Sequence, residues 1–329
     1  MNSSIPMTLA ATLITTFTAI PNAYADVNMM EASYQTQFTD LEIGGLKITR
    51  LYNSRSNFSG LFGFGWCSTF DTHLEFSTTP QGRAFSAINE CGRLSNVGDA
   101  QFLKFENGFY SQTLSTGLTR KFDAATGELV SLQAARNPEV RILRARPRLP
   151  RDAALGEGLK MRLEFDDLNE RVVHLETPDK QLEFTYAADR TLLSARNAWS
   201  NTYRFTYDTL QNLTMVRYPD DTSESMTYDA DHDRLLSFQG RQGHCTETYS
   251  HTFSSAAGNE PLKRTQVSTA KLICKTLSGL DVVKRAVRFD FSFTKQSKPK
   301  SKWMLSQLSL TRDGKTQSTK FYTTPRGTK

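Results

Sequence analysis

Met161-Arg162-Leu163-Glu164-Phe165, Leu182-Glu183-Phe184-Thr185-Tyr186, Tyr203-Arg204-Phe205-Thr206-Tyr207 and Ser225-Met226-Thr227-Tyr228 are four versions of one short text. Their closing aromatics, Phe165, Tyr186, Tyr207 and Tyr228, stand 21 residues apart, three times running. Within each version apolar and polar residues alternate, the period of a strand with one buried face. A repeat period of about 20 to 50 residues belongs to architectures that stack one small unit. A second turn signal falls inside each unit, at Pro178-Asp179, Ser200-Asn201 and Pro219-Asp220-Asp221. Two turns per unit make two strands, so each unit reads as a hairpin. The aromatic ladder reads as structural core, packed across neighbouring strands.

The same grammar extends outward. Phe122-Asp123, followed by Gly127, Leu129 and Val130, looks like an earlier, degenerate unit. An Asp after the strand can hydrogen-bond its own turn backbone. In the central units Gln211-Asn212 and His232-Asp233 stand where a turn glycine would, and Asn and Asp tolerate the left-handed conformation. Towards the N-terminus, Thr39 to Tyr52 alternates around Gly44-Gly45, a hairpin signal. Gly60, Gly63 and Gly65 are then threaded with Phe62, Phe64 and Trp66, so the backbone can turn sharply beneath large rings. After Gly240 the period is lost, although strand-like runs persist at 247–253, 271–276, 282–293 and 303–310. The expected fold class is all-β and antiparallel.

Composition agrees. Of 329 residues, 38% are hydrophobic and 11% aromatic, a balance rich in strand formers. No run approaches the roughly 18 apolar residues of a membrane helix, so no transmembrane segment is expected in the mature protein. Met7 to Ile20 is apolar apart from Thr residues and leads to Ala23-Tyr24-Ala25, which reads as a secretory signal cleaved before Asp26. No Lys or Arg precedes that point. The alternative is a buried N-terminal strand or helix.

The net charge is +6, and residues 284–329 alone hold twelve Lys or Arg against Asp290 and Asp313, leaving −4 for the rest. Arg141, Arg144, Arg146, Arg148 and Arg151 form a second basic cluster. Such runs read first as solvated surface and second as attraction to an anionic envelope polymer or carbohydrate, a membrane surface or nucleic acid. Aromatics near the tail are sparse, which argues against nucleic acid. The tail is expected to be a docking element whose removal, from residue 296 onward, leaves the fold intact. Four cysteines in an exported chain imply two disulfides with three pairings open. Cys67 with Cys91 and Cys245 with Cys274 is favoured because each closes a local loop. A zinc site at His244, Cys245, His251 and Cys274 is the sharper alternative, without tight Cys spacing.

The catalytic signatures of serine hydrolases, zinc proteases, nucleotide-binding loops and dinucleotide folds are missing from the text. The paired carboxylates Asp166-Asp167 and Asp220-Asp221 fall at repeat turns, where Asp serves the backbone. Catalytic residues, metal and cofactors are therefore not expected.

Arg50-Leu51-Tyr52-Asn53-Ser54-Arg55-Ser56, followed by Gly60-Leu61-Phe62-Gly63-Phe64-Gly65-Trp66, closely resembles the opening segment of Rhs and YD-repeat proteins. Arg50, Tyr52, Asn53, Gly60, Phe62, Gly63, Gly65 and Trp66 carry that likeness. Tyr207-Asp208 and Tyr228-Asp229 resemble the family's Tyr-Asp repeats, whereas Tyr186 is followed by Ala187. The resemblance implies a curved, partial β-shell. It divides the chain into a signal (1–25), an Rhs-like N-terminal segment (26–110), degenerate repeats (111–240) and an irregular β-rich segment with a basic tail (241–329). An open strip of this kind leaves an apolar face that must be covered by curling, by oligomerisation or by a second chain completing the shell. Thr311 through Tyr322 looks like the opening half of another unit. The expected function is a non-enzymatic, exported module for binding or encapsulation. The alternative is half of a split toxin-delivery shell.

Overall fold

The computed structural model describes residues 23–80, 82–95, 103–145, 159–166, 168, 170–241, 243, 245–255, 264–276, 278–294, 302–312, 315–320, 323–324 and 327–328. Regular structure in these residues is strand, apart from one short helical turn at Thr69–Asp71. The expected signal up to residue 22, Arg146, Arg148, Arg151, Asp167 and His244 lie outside the described residues. A strand, Ala23–Asn28, runs across the expected cleavage point.

Eighteen strands form one sheet in which spatial order is sequence order, from Leu103–Glu106 to Lys315–Lys320; the sheet does not close. Antiparallel neighbours dominate, as successive hairpins require, with a parallel pair at Val140–Ala145 and Leu159–Phe165. By packing, Thr36–Tyr207 make the body of one compact unit, and Ala25–Gln35 with Asp208–Lys329 make the other. The segment boundaries at 110 and 240 fall inside these units.

In the first unit the register shifts by one residue beside three of the repeat aromatics, at Lys121/Phe122, Glu164/Phe165 and Thr185/Tyr186. In the second unit it shifts at Thr227/Tyr228. A bulge re-aims the side chain that follows it. The ladder tyrosines are consequently half-buried, and their hydroxyls reach backbone: Tyr186 donates to the Val172 carbonyl at 2.7 Å and Tyr228 to the Leu213 carbonyl at 2.9 Å. The buried row precedes the ladder, at Met161 and Leu163, Leu182 and Phe184, Tyr203 and Phe205, and Met226. This corrects the reading of the ladder as the packing core. The ladder fastens strand ends, and the core is the row before it.

The turns after the aromatics are held by carboxylates. Asp123 Oδ1 accepts from the Ala125 and Thr126 amides at 2.9 and 2.8 Å, Asp208 Oδ1 from Leu210 and Asn212 at 2.9 Å each, and Asp229 Oδ1 from Asp231 and His232 at 3.0 and 2.6 Å. After Tyr186, where Ala187 replaces Asp, Asp189 accepts from the Thr191 amide and hydroxyl at 3.1 and 2.7 Å. Gly127, Arg190, Gln211 and Asp233 occupy the left-handed position. Asn212 does not, contrary to expectation; it is buried and its amide bridges Asp208 and Asp233.

Beyond Gln239 the sequence loses its period, but the strands become longer. Cys245–Ser255, Arg264–Lys275, Asp281–Thr294 and Lys302–Arg312 are long paired strands. The basic tail is therefore not an appendage: Lys302–Arg312 pairs from Arg285↔Arg312 to Thr294↔Lys302, and removing residues from 296 onward would strip two strands from the sheet. The last strand, Lys315–Lys320, is polar and exposed at every position, which blunts the sheet edge. Both disulfides are the local ones, Cys67–Cys91 and Cys245–Cys274, so the latter two cysteines are not zinc ligands.

Asp208→Ala is expected to lower stability by about 1–3 kcal/mol, because two turn amides lose a charged acceptor. Urea unfolding measures this; an unchanged midpoint would refute the carboxylate's role.

Candidate functional site

The residues that carry the family likeness converge in the first unit on one buried cation. Arg50, on the strand Leu46–Asn53, is 1% exposed. Its Nε and Nη2 donate to Asp40 Oδ2 and Oδ1 at 2.5 and 2.9 Å, a bidentate pair between the two arms of the Gly44-Gly45 hairpin. Five rings surround the guanidinium: Trp66, Phe184, Phe62, Phe38 and Phe205, with centroids 5.0 to 5.9 Å away. Ring faces stabilise a cation electrostatically, most strongly when water is excluded. Asp40 and the five rings supply part of what solvation would otherwise provide, while the buried Nη1 has no hydrogen-bond partner among the described residues.

The glycine-aromatic segment is shaped to deliver two of those rings. Gly65 adopts φ +77°, and a Cβ there would stand 2.6 Å from the Tyr52 ring; at Gly60 it would stand 2.5 Å from the Trp66 carbonyl oxygen. Asn53 fixes the loop: its amide donates to Gly65 O at 3.0 Å, and its side-chain oxygen accepts from the Arg55 amide at 2.9 Å. Trp66, fully buried, packs on Phe38, Tyr52 and Phe205 and donates from Nε1 to Tyr207 Oη at 3.0 Å. Burial pushes the Tyr207 and Tyr186 phenols well above their usual range, so both stay neutral donors. Phe62 meets Phe184 edge-on at 4.8 Å. Gly63 approaches the Arg190 carbonyl, and Arg171 donates to the Gly60 carbonyl at 3.1 Å and to Ser59 Oγ at 3.0 Å.

The likeness residues thus lie across the apolar face of the repeats. In this unit the chain covers that face itself, with the opening segment laid over the repeats. The second unit does the same with fewer residues. Tyr34 stacks on Phe238 and donates to Glu224 at 3.0 Å, the Leu235 amide donates to the Ala32 carbonyl at 2.9 Å, and Gln266 donates to the Met29 and Met30 carbonyls. Burial raises the Glu224 pKa against the lowering effect of its tyrosine donors.

Asp40, Phe38, Tyr34 and Glu224 were not marked by any motif. The available signal was an Asp and an Arg in opposite arms of a two-glycine hairpin. The paired carboxylates are engaged in structure. Asp166 accepts from the Glu170 and Arg171 amides and pairs with Arg190; Asp220 accepts from Thr222 and pairs with Arg241. Among the described residues no group of three or more His, Cys, Asp or Glu is placed to hold a metal ion.

Asp40→Ala should cost about 3–5 kcal/mol by leaving a buried cation unpaired, whereas Asp40→Leu with Arg50→Met should recover much of that loss. Trp66→Ala should cost about 3–5 kcal/mol. Denaturant unfolding of oxidised protein decides both; native stability in either single variant would overturn the anchoring role. Because Glu224 has a raised folded pKa, its stabilising contribution is present below about pH 4.5 and is lost as pH rises through the raised value. Glu224→Gln should therefore gain stability relative to the parent between pH 4 and 7, and parallel pH profiles would refute this.

Residues 26–95 match a family described as a domain of unknown function (DUF6531). No curated protein matches the chain. Among solved structures the chain is similar to TcdB2-TccC3 without its hypervariable C-terminal region, at 10% identity and a TM-score of 0.24, over 90% of this chain and 19% of that one. It is likewise similar to TcdB2-TccC3-Cdc42, at 10% identity and a TM-score of 0.24 over 94% of this chain and 16% of that one. A third is the Photorhabdus luminescens Tc holotoxin pore, at 10% identity and a TM-score of 0.21 over 90% of this chain. The chain spans 16% to 19% of the length of these structures.

Proposed function

We propose that this protein is an exported, non-enzymatic β-shell module of the Rhs and YD-repeat type, working at the cell envelope by binding and enclosing rather than by catalysis. The observation that carries the reading is the seat of the opening segment. The Arg50–Ser56 and Gly60–Trp66 elements fold over the hairpin repeats around one buried ion pair. The repeat aromatics and turn carboxylates are consumed in holding strands and turns together. Two disulfides support an oxidising compartment, in keeping with the signal-like N-terminus.

A second reading, part of a split toxin-delivery shell, draws on the sheet's two end strands, Leu103–Glu106 and Lys315–Lys320, each of which pairs with one neighbouring strand among the described residues. A neighbouring reading frame that begins mid-repeat would favour it.

Two measurements test the main proposal. Light scattering of the oxidised protein should show a concentration-dependent assembly larger than one 37.1 kDa chain, formed through the end strand Leu103–Glu106, where Phe105 is 61% exposed, and not through the blunted Lys315–Lys320 edge. A strictly monomeric species would remove the shell part of the reading. Incubation with envelope polysaccharides should release no reducing ends; release that Asp220→Asn abolishes would replace the non-enzymatic reading with a glycosidase.

A further inference from the structure

In the second unit, three cations stand abreast on neighbouring strands. Arg285 pairs directly with Arg312, and Arg312 with Lys315. Directly opposite residues on antiparallel strands lie about 4.5–5.5 Å apart, and like charges so placed destabilise a sheet. Arg285 is relieved by Glu247, at 2.7 Å. Lys315 is exposed and has no ion pair among the described residues.

This row lies at the same end of the sheet as the turn joining Arg264–Lys275 to Asp281–Thr294. That turn exposes apolar side chains. Leu280 is 68% exposed, Val283 55% and Val282 36%. Lys275 and Lys284 flank them, both exposed, with Asp281 as the nearby anion. The Cys245–Cys274 disulfide ties the base of the turn, since Cys274 pairs with Val282 on the following strand. The result is a braced hairpin tip with apolar residues at its end and five cations, Lys275, Lys284, Arg285, Arg312 and Lys315, close behind.

We propose that this tip docks on an anionic lipid surface, with Leu280, Val282 and Val283 entering the interface and the cations lying at the headgroups. Each part of the site fits that partner. Exposed aliphatic side chains lose water when they enter the headgroup boundary. Cations beside an anionic leaflet each add attraction within a Debye length. A soluble anionic glycan would use the cations but leave the three aliphatic residues in water. A nucleic acid would want aromatic platforms, and the described tip residues 275–285 include none. The inference deepens the envelope-associated part of the proposed function and names its site and partner. It does not depend on whether the sheet assembles into a shell.

The test is co-sedimentation of the oxidised full chain with vesicles of phosphatidylcholine alone or with 30% phosphatidylglycerol, a composition chosen as on the order of a biological anionic leaflet. Binding should require phosphatidylglycerol. It should weaken about tenfold or more in Lys284→Glu/Lys315→Glu and comparably in Leu280→Ser/Val283→Ser, all four positions being exposed and both variants keeping the parent's thermal transition. Equal binding to both vesicles would overturn the proposal. So would retention of binding in the Leu280→Ser/Val283→Ser variant, or preferential binding to soluble polygalacturonate. Light scattering reports separately on the shell, so a failure here is distinguishable from a failure of that reading.

Discussion

Burying the Arg50 guanidinium would cost several kcal/mol without compensation, and the compensation is drawn from three separate parts of the first unit. Asp40 and Phe38 come from the other arm of the hairpin, Phe62 and Trp66 from the glycine-aromatic loop, and Phe184 and Phe205 from two successive repeats. A shift of the loop along the sheet by one unit would remove ring faces from the cation without returning it to water. The buried charge thus penalises wrong registers more heavily than an apolar cluster of the same size would. The glycines answer to the same constraint, since Trp66 can reach the nest only if the backbone at Gly60 and Gly65 passes closer to its neighbours than a Cβ allows.

Both units cover their repeats with sequence from before the repeats begin, and they do so with different chemistry. The first uses an ion pair and rings. The second uses Tyr34 on Phe238 and Glu224, together with backbone carbonyls at Met29, Met30 and Ala32 that accept from Gln266 and the Leu235 amide. Stacked hairpins alternate apolar and polar faces, so the apolar face always needs a second layer. Laying that layer down from the N-terminal residues lets the repeats drift in sequence, provided the residues two before each ladder aromatic stay large and apolar. Leu163, Phe184, Phe205 and Met226 meet that condition with three different residue types.

What could be read from the text was whatever depends on local order. Period-two alternation, paired turn signals and the closeness of Cys67 to Cys91 and of Cys245 to Cys274 are local, and the hairpins and disulfides followed from them. The glycine-aromatic segment was legible as a site because its composition is unusual. Its partners were not, because Asp40 meets Arg50 only once a hairpin closes, and Phe184 meets it only once a loop folds over the sheet. Tyr186 and Tyr228 were misjudged for a backbone reason: a bulge beside each one turns its hydroxyl onto a backbone carbonyl, and residue type does not announce a bulge. The left-handed turn positions show the same limit. Arg190 and Gln211 occupy them because each stands four residues after its aromatic, in a turn already held by Asp189 or Asp208, not because their side chains favour that conformation.

The C-terminal strands set the opposite problem, since regular structure arises there without any repeat in the text. Long pairing between Cys245–Ser255, Arg264–Lys275, Asp281–Thr294 and Lys302–Arg312 is sustained by Ala270, Val287, Phe289 and Phe291 on the buried face and by hydroxyl pairs such as Ser250 with Thr269 and Ser309 with Ser318 on the exposed one. That ladder is strong enough to hold Arg285, Arg312 and Lys315 side by side despite their repulsion. A sheet selected for stability alone would separate them or place a carboxylate beside Lys315, as Glu247 stands beside Arg285. Leaving the outer end of the row uncompensated, next to a disulfide-braced turn that exposes three aliphatic residues, is a cost that the fold tolerates and does not need. Such a cost is best explained by something outside the chain that meets both features at once.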